Sequence, residues 1–455
     1  MKTGAGELDD PDRLDIDRGA KFQVSAGQAR YSVGLLMLIY LLGFVDRQIL
    51  SILAEPIKRE LHLADWQMGA ITGLSFALLY TLCGIPIARL AETGNRRHII
   101  SAAIFVWSSF TMLCAGAQTF VHLALARVGV GIGEAGCTPS AMSLISDYVP
   151  KEKRSTATGI YLAGAPIGAL LGMALGGVIA DLWGWRAAFL FAGAPGIIVA
   201  LLAFMTLAEP RVSAAGRAII KSAEPKIPIA ATLKHLWSRR SYVLITSSLT
   251  LGAVVQYSSH AFLGSFFFRN HATELAEMAA KFGLQSTGFL GIALGLILGI
   301  SGVFGATFGG YISDRLARRD VRHTLIFIGL TTIFAGPLYM FALSSPSLIP
   351  ALLLLFIPSA LMHFYHGPAF GMIQGVVAPS QRATATAIML LIVNLIGLGV
   401  GPLVVGLTSD LIAHFGHMSD GEGVRWALYS VIMLTIPTGL LFIVVRNYIA
   451  GEQES

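Results

Sequence analysis

Twelve stretches of this sequence, each about twenty residues or longer, are nearly free of charge, and that feature constrains the fold more than any other. A helix of about 20 apolar residues crosses the roughly 30 Å hydrocarbon core of a bilayer. The stretches cover residues 31–53, 67–89, 98–117, 120–146, 155–179, 186–208, 241–268, 287–312, 323–343, 348–374, 382–411 and 425–446. Of the 455 residues only 13% are charged, against about 25% in ordinary soluble proteins. That is too little to wet the two or three domains a soluble chain of this length would form. The composition excludes a soluble enzyme, a nucleic-acid binder and a secreted disulfide scaffold, and predicts an all-α membrane protein with 12 transmembrane helices.

The net charge of +6 does not point to nucleic acid, because the basic residues lie at the ends of apolar blocks and form no single patch. Cys83, Cys114 and Cys137 all lie inside apolar segments and read as small core residues. Residues 1–30 are polar, with Asp9, Asp10, Asp12, Asp15 and Asp17, so no cleavable leader is expected and the first helix serves as its own signal. With both termini cytoplasmic, 24 of the 32 lysines and arginines fall on the cytoplasmic side and 6 outside. Arg47 and Arg127 remain within spans. By the positive-inside rule this ratio orients a multi-pass protein with both termini in the cytoplasm, in the inner membrane if the source is bacterial.

The longest polar stretch between spans covers residues 209–240. It divides the chain into a cytoplasmic tail (1–30), a six-helix bundle (31–208), a linker (209–240), a second six-helix bundle (241–446) and a short tail (447–455). The halves carry traces of each other. After span two an acid, Glu92, precedes the pair Arg96 and Arg97; after span eight Asp314 precedes Arg318 and Arg319, 222 residues later. After span four comes Arg154-Ser-Thr-Ala-Thr158 and after span ten Arg382-Ala-Thr-Ala-Thr386, an offset of 228. Two matches at nearly one offset argue for a duplicated six-helix unit.

The loop pattern Gly-x-Leu-Ala-Asp-Arg-x-Gly-Arg-Arg, present twice, resembles the signature loop of the major facilitator superfamily of secondary transporters. The second copy matches well, whereas in the first Ala88, Glu92 and Thr93 replace glycine, aspartate and arginine. The resemblance implies the major facilitator fold of two pseudo-symmetric six-helix bundles. It also implies a cytoplasmic gate in which Glu92, Arg96, Arg97, Asp314, Arg315 and Arg318 hold the halves together; topology alone explains the arginines but not the repeated acid. Span five carries Gly164, Gly168, Gly172 and Gly176, and span eight Gly291, Gly295 and Gly299. In this fold spans five and eight face each other, so the stripes are expected to form a smooth, mobile interface between the halves, or simply close static packing.

Four charges lie inside spans: Asp46 and Arg47 in span one, Arg127 and Glu134 in span four. Each costs about 2.5–3.5 kcal/mol at mid-membrane on insertion scales, which demands a purpose or a partner. Positions 127 and 134 are almost two turns apart and share a helix face. A buried carboxylate that gains and loses an arginine neighbour can exchange a proton near neutral pH, so Asp46 and Glu134 are the proton-coupling candidates. Arg47 suits an anionic head group. Arg127 either binds substrate or pins span four to span one. The Asp-Arg pair together with Gly131-Ile-Gly133-Glu134-Ala135 resembles the spinster-like branch of the superfamily, which implies lysolipid or sphingoid-phosphate transport coupled to protons.

In the second half Tyr257, His260, His363 and Asn394 are further substrate-binding candidates, with Gln256, Tyr365 and His366 beside them. Phe262, Phe266, Phe267 and Phe268 are expected to face lipid, or else to line an aromatic wall opposite the acids. The histidines lack carboxylate or cysteine neighbours at metal spacing, so neither metal nor cofactor is expected. The prediction is a proton-coupled secondary transporter, not an enzyme, that moves an amphipathic anionic or zwitterionic lipid-like molecule by alternating access. A multidrug or small-organic-anion exchanger is the alternative. Its partners are membrane lipids, the substrate and protons, with no nucleic acid, and it is expected to act as a monomer.

Overall fold

A computed structural model describes residues 25–150, 153–210, 229–377 and 381–452. The tail 1–24 and the central part of the linker, 211–228, lie outside the described residues. Among the described residues, ten helical stretches are long and apolar enough to cross a membrane. One of them, Thr156–Thr206, is two spans that meet at Gly184, whose φ of 81° breaks the helix where a side chain would be strained. A further helix, Arg240–Asn270, is 31 residues long but interrupted by serines, threonines and His260, so its mean hydropathy hides it. The result is the expected twelve: α1 (Ala26–Leu61), α2 (Asp65–Ala91), α3 (Arg96–Cys114), α4 (Phe120–Tyr148), α5 (156–183), α6 (185–206), α7 (Arg240–Asn270), α8 (Ser286–Ala317), α9 (Val321–Leu343), α10 (Leu348–Gly375), α11 (Thr384–Phe415) and α12 (Asp420–Val445).

The hairpins between spans are tight because polar residues cap the helices they begin. Side chains of Asn95, Thr119, Asp320 and Ser419 each accept a backbone N–H in the first turn of α3, α4, α9 and α12. This satisfies donors that neither lipid nor the preceding helix supplies. At the terminal face, Gln28 and Tyr31 of α1 bond Thr206 at the end of α6. Glu452 accepts the backbone N–H groups of Arg240 and Ser241 there.

The two halves, α1–α6 and α7–α12, are sealed at the distal face, the side where α1 ends and α2 begins. The largest apolar cluster joins Leu53, Ile57 and Met68 of the first half to Phe262, Phe266, Leu290 and Val405 of the second. A second cluster, with Leu36, Ile104, Leu144 and Tyr161, fills the terminal-side part of the first half, and among its core members only Leu398 comes from the second half. The four phenylalanines of α7 are therefore not lipid-facing: Phe266 and Phe267 have 0% of their surface exposed and belong to the distal seal. Lipid tails are as apolar as these rings, so close packing against the opposite half, not a hydrophobic transfer gain, holds them there.

The glycine stripes also serve a different contact from the one expected. Helices α5 and α8 do pack together, but Gly164, Gly168 and Gly172 lie against the backbone of Met37, Leu41 and Val45 in α1, and Gly176 against Ile49. The stripe on α5 thus locks the first half internally. The stripe on α8 is the one at the boundary between halves, where Gly291 and Gly295 rest on Met173 and Leu170 of α5. Periodicity marks the bare face of a helix but not its neighbour.

Candidate functional site

At mid-membrane α1 and α4 are joined by two ion pairs. Arg127 Nη1 donates to Asp46 Oδ2 at 2.7 Å, and Thr111 Oγ1 of α3 donates to Asp46 Oδ1 at 2.5 Å. Arg47 donates to Glu134 Oε2 through Nε at 2.8 Å and Nη2 at 2.5 Å. Adjacent residues on α1 diverge by about 100° around the helix, so Asp46 and Arg47 reach different turns of α4. The long arginine leans toward the start of its helix, as helical side chains do, and so meets the more terminal-side Glu134.

The two pairs differ in access. Arg127 is 1% exposed and Asp46 2%, sealed behind Phe76 and Thr111. Arg127 is accordingly placed to pin α4 to α1 and touches Asp46, with its Nε left without a protein acceptor. Arg47 and Glu134 instead border a small cavity whose walls include Tyr40, Trp107, Thr138 and Tyr161. The guanidinium of Arg47 lies over the rings of Phe44, Phe76 and Tyr80, so a delocalised cation is held by aromatic faces as well as by its carboxylate. Glu134 Oε1 is buried beside Gly43 with no hydrogen-bond partner. The aromatic wall predicted from α7 is thus supplied by the first half itself.

Of the second-half candidates, Tyr257 packs against the first-half cluster that includes Phe76 and Tyr80. His260 and His363 share a separate small pocket with Gln256 and Tyr339. Asn394 lies in a π-helical stretch, Val393–Val400, that faces a second one in α2, Ala70–Leu74. Such widened turns leave the regular hydrogen-bond ladder irregular where the halves meet.

Among the described side chains, the terminal-face residues expected to gate do not bridge the halves in this state. Arg96 is fully buried and bound within its own half, to Glu209 at 2.6 Å and Asp147 at 2.6 Å. Arg97 lies near His98 and Phe204, and Arg315 bonds Tyr311 on its own helix. Asp314 and Arg318 are exposed, and the side chain of Glu92 lies outside the described residues.

The contacts that do close a face are distal. Arg269 at the end of α7 binds Asp65 through both terminal nitrogens at 2.8 Å, and Glu55 at 2.9 and 3.0 Å. Lys58 adds a 2.6 Å bond to Asp65 Oδ1, and Ser409 Oγ donates to Asp65 Oδ2 at 2.7 Å. Asp410 of α11 accepts the backbone N–H of Asp65 and Trp66 at the start of α2. Asp181 of α5 does the same for Gln285 and Gly288 at the start of α8. Each carboxylate neutralises a helix N-terminus in the opposite half. Sequence reasoning missed this set because Glu55, Asp65 and Arg269 sit at the ends of apolar spans, where a charge is ordinary and does not reveal a partner far away in the chain.

The family model of the Major Facilitator Superfamily matches residues 36–402. The chain is 32% identical over 379 residues to an MFS-type efflux pump of Mycolicibacterium smegmatis, covering 83% of this chain and 84% of that one. It is 24% identical to a sphingosine-1-phosphate transporter of Danio rerio over 86% of this chain and 79% of that one. Among solved structures, a bacterial homologue of the human lysosomal transporter spinster, in inward-facing and occupied conformation, superimposes with a TM-score of 0.81 at 29% identity. That superposition covers 95% of this chain and 100% of the other.

Proposed function

Because this chain belongs to the major facilitator superfamily of transporters, in its spinster-like branch, we propose that it moves an amphipathic, anionic or zwitterionic lipid-like molecule by proton-coupled alternating access, with its terminal face in the cytoplasm. The observation that carries this reading is the Arg47–Glu134 pair at the edge of the cavity, with one carboxylate oxygen unsatisfied. An anionic head group that enters the cavity competes with Glu134 for Arg47. Glu134, stripped of its counter-charge in a low-dielectric site, then takes up a proton. When the head group leaves, Arg47 returns and the proton is expelled, so the two ligands are coupled through one guanidinium. Asp46 and Arg127 hold α1 against α4 while this happens, and Asp46 is the second acid in the path. The distal seal and the terminal-side cavity are the arrangement expected of one end state of alternating access.

The sphingosine-1-phosphate transport named for one relative and the rings around Arg47 both favour a charged head with an apolar tail. The efflux pump among the relatives supports the alternative of a multidrug or organic-anion exchanger. The test is reconstitution in liposomes with and without a pH gradient. Glu134→Gln, which keeps shape but not ionisation, is expected to abolish gradient-driven flux while substrate still binds. Unchanged gradient-driven flux in Glu134→Gln combined with Asp46→Asn would refute proton coupling. Competition by short-chain anions as strong as that by lysolipids would favour the exchanger.

A further inference from the structure

Each half builds a small pocket with polar side chains in its lining between its first, third and fourth helices. In the first half it holds Arg47 and Glu134, and Thr111 of α3 stands behind them on Asp46. In the second half it lies among Gln256, Ser259 and His260 of α7, Tyr339 of α9, and Ser359 and His363 of α10. The duplication relates the two. Tyr339 stands 228 residues after Thr111, and His363 stands 229 after Glu134, within one residue of the 228 offset between the Arg154 and Arg382 loops. Where one half places a carboxylate facing an arginine, the other places an imidazole facing an amide. No aspartate, glutamate, lysine or arginine lines the second pocket.

Its hydrogen bonds define what is left for a ligand. His363 Nδ1 lies 2.8 Å from the carbonyl oxygen of Ser359 and must donate to it. The imidazole's other nitrogen, Nε2, is then an acceptor, 2.9 Å from the Gln256 amide nitrogen. The Gln256 carbonyl oxygen has no hydrogen-bond partner among the described residues. The His260 imidazole makes no hydrogen bond among the described residues. An ion placed here would be desolvated without a counter-charge, and an alkyl chain would leave polar groups unpaired. A hydroxyl or carboxamide can donate to Gln256 Oε1 and bond the His260 ring, beside the buried Ser259 and Ser359 hydroxyls, which also have no hydrogen-bond partner among the described residues. The neighbouring Tyr257, three residues before His260 and so close to it around the helix, packs against the cluster that surrounds Arg47, so one turn of α7 adjoins both pockets.

We propose that the second-half pocket is a subsite for an uncharged hydrogen-bonding group of the substrate, a hydroxyl or amide of a lipid backbone, while Arg47 holds the anionic head. This rests on the lipid-transport reading above. The test uses the detergent-solubilised full chain and displacement of labelled oleoyl lysophosphatidic acid by its unlabelled form and by the 2-deoxy analogue, which lacks only the glycerol hydroxyl. Wild type is expected to bind the deoxy form about tenfold more weakly. The ratio should fall to near one in Gln256→Leu and in His260→Phe, whereas Arg47→Ala weakens both lipids alike. Because each ratio is measured on one sample, loss of folded protein does not alter it, and the wild-type ratio needs no variant. Equal binding of the two lipids by wild type, or equal weakening of both in Gln256→Leu, overturns the subsite alone. No saturable binding of either lipid to wild type overturns the lipid reading itself, and the subsite with it.

Discussion

Removing Arg269 should open the distal face. In the closed state its side chain is 6% exposed and touches Glu55 and Asp65, themselves 7% and 3% exposed. Arg269→Ala leaves both carboxylates buried, with Lys58 still on Asp65 and Arg59 still 3.3 Å from Glu55. Breaking a buried ion pair from one side costs about 3–5 kcal/mol, and the two remaining cations place this case at the lower end. The cost falls on the closed state alone, because separation of the halves would return both carboxylates to water. A bias of about 3 kcal/mol shifts the equilibrium by on the order of 10²-fold toward distal opening. The assay is electron-spin distance measurement between labels at Val121 and Met418, both exposed on opposite halves at the distal side, in a background lacking Cys83, Cys114 and Cys137. Arg269→Ala is expected to add a longer-distance population. An unchanged distribution in folded, monodisperse protein would show that apolar and backbone packing alone hold the seal, and the electrostatic account would fail.

Three further outcomes follow from other contacts. A methyl group on Gly406 would overlap the carbonyl oxygen of Asp65 in the opposite half, so Gly406→Ala should weaken the closed state by about 1–3 kcal/mol and raise distal thiol accessibility; unaltered accessibility would count against close backbone contact between α2 and α11. Arg96→Ala removes the guanidinium from Glu209 and Asp147, and should cost about 3–5 kcal/mol, seen as a lower melting temperature in detergent with transport selectivity unaffected. His271, between α7 and the following short helix Ala272–Lys281, is 5% exposed with both ring nitrogens unbonded. Burial holds its pKa below the usual value, nearby Glu274 raises it in part and Arg425 lowers it further. The neutral form is therefore the one the fold favours: its stability is complete above about pH 6.5 and declines as acidity rises. His271→Phe should flatten the fall in melting temperature between about pH 7 and 5, and an equally steep fall in the variant would remove His271 as its cause.

Much of the site was legible because charge is scarce in a membrane segment. Asp46, Arg47, Arg127 and Glu134 stood out since each is expensive there, and the structure brings all four together. Their pairing was not legible: sequence spacing puts 127 and 134 on one face but does not say that Arg127 is sealed while Arg47 borders a cavity. The distal network was invisible for a related reason. Glu55, Asp65 and Arg269 lie at span ends, where charges are cheap and common, and they are distinctive only because 204 residues of chain separate Arg269 from Asp65 and the fold returns them to 2.8 Å. The phenylalanines of α7 failed in the opposite sense, since an apolar residue in an apolar span carries no mark of whether it faces protein or lipid.

The sequence by itself determined the membrane-spanning class, the twelve spans, the duplication and the in-membrane charges, because these follow from the cost of placing polar groups in hydrocarbon, which acts residue by residue. Only the tertiary structure decided which face is closed, which helix each glycine stripe contacts and which ion pair meets the cavity. Those are properties of contacts between segments that are equally apolar, where the solvent gives no preference and shape complementarity and a few buried hydrogen bonds choose the partner.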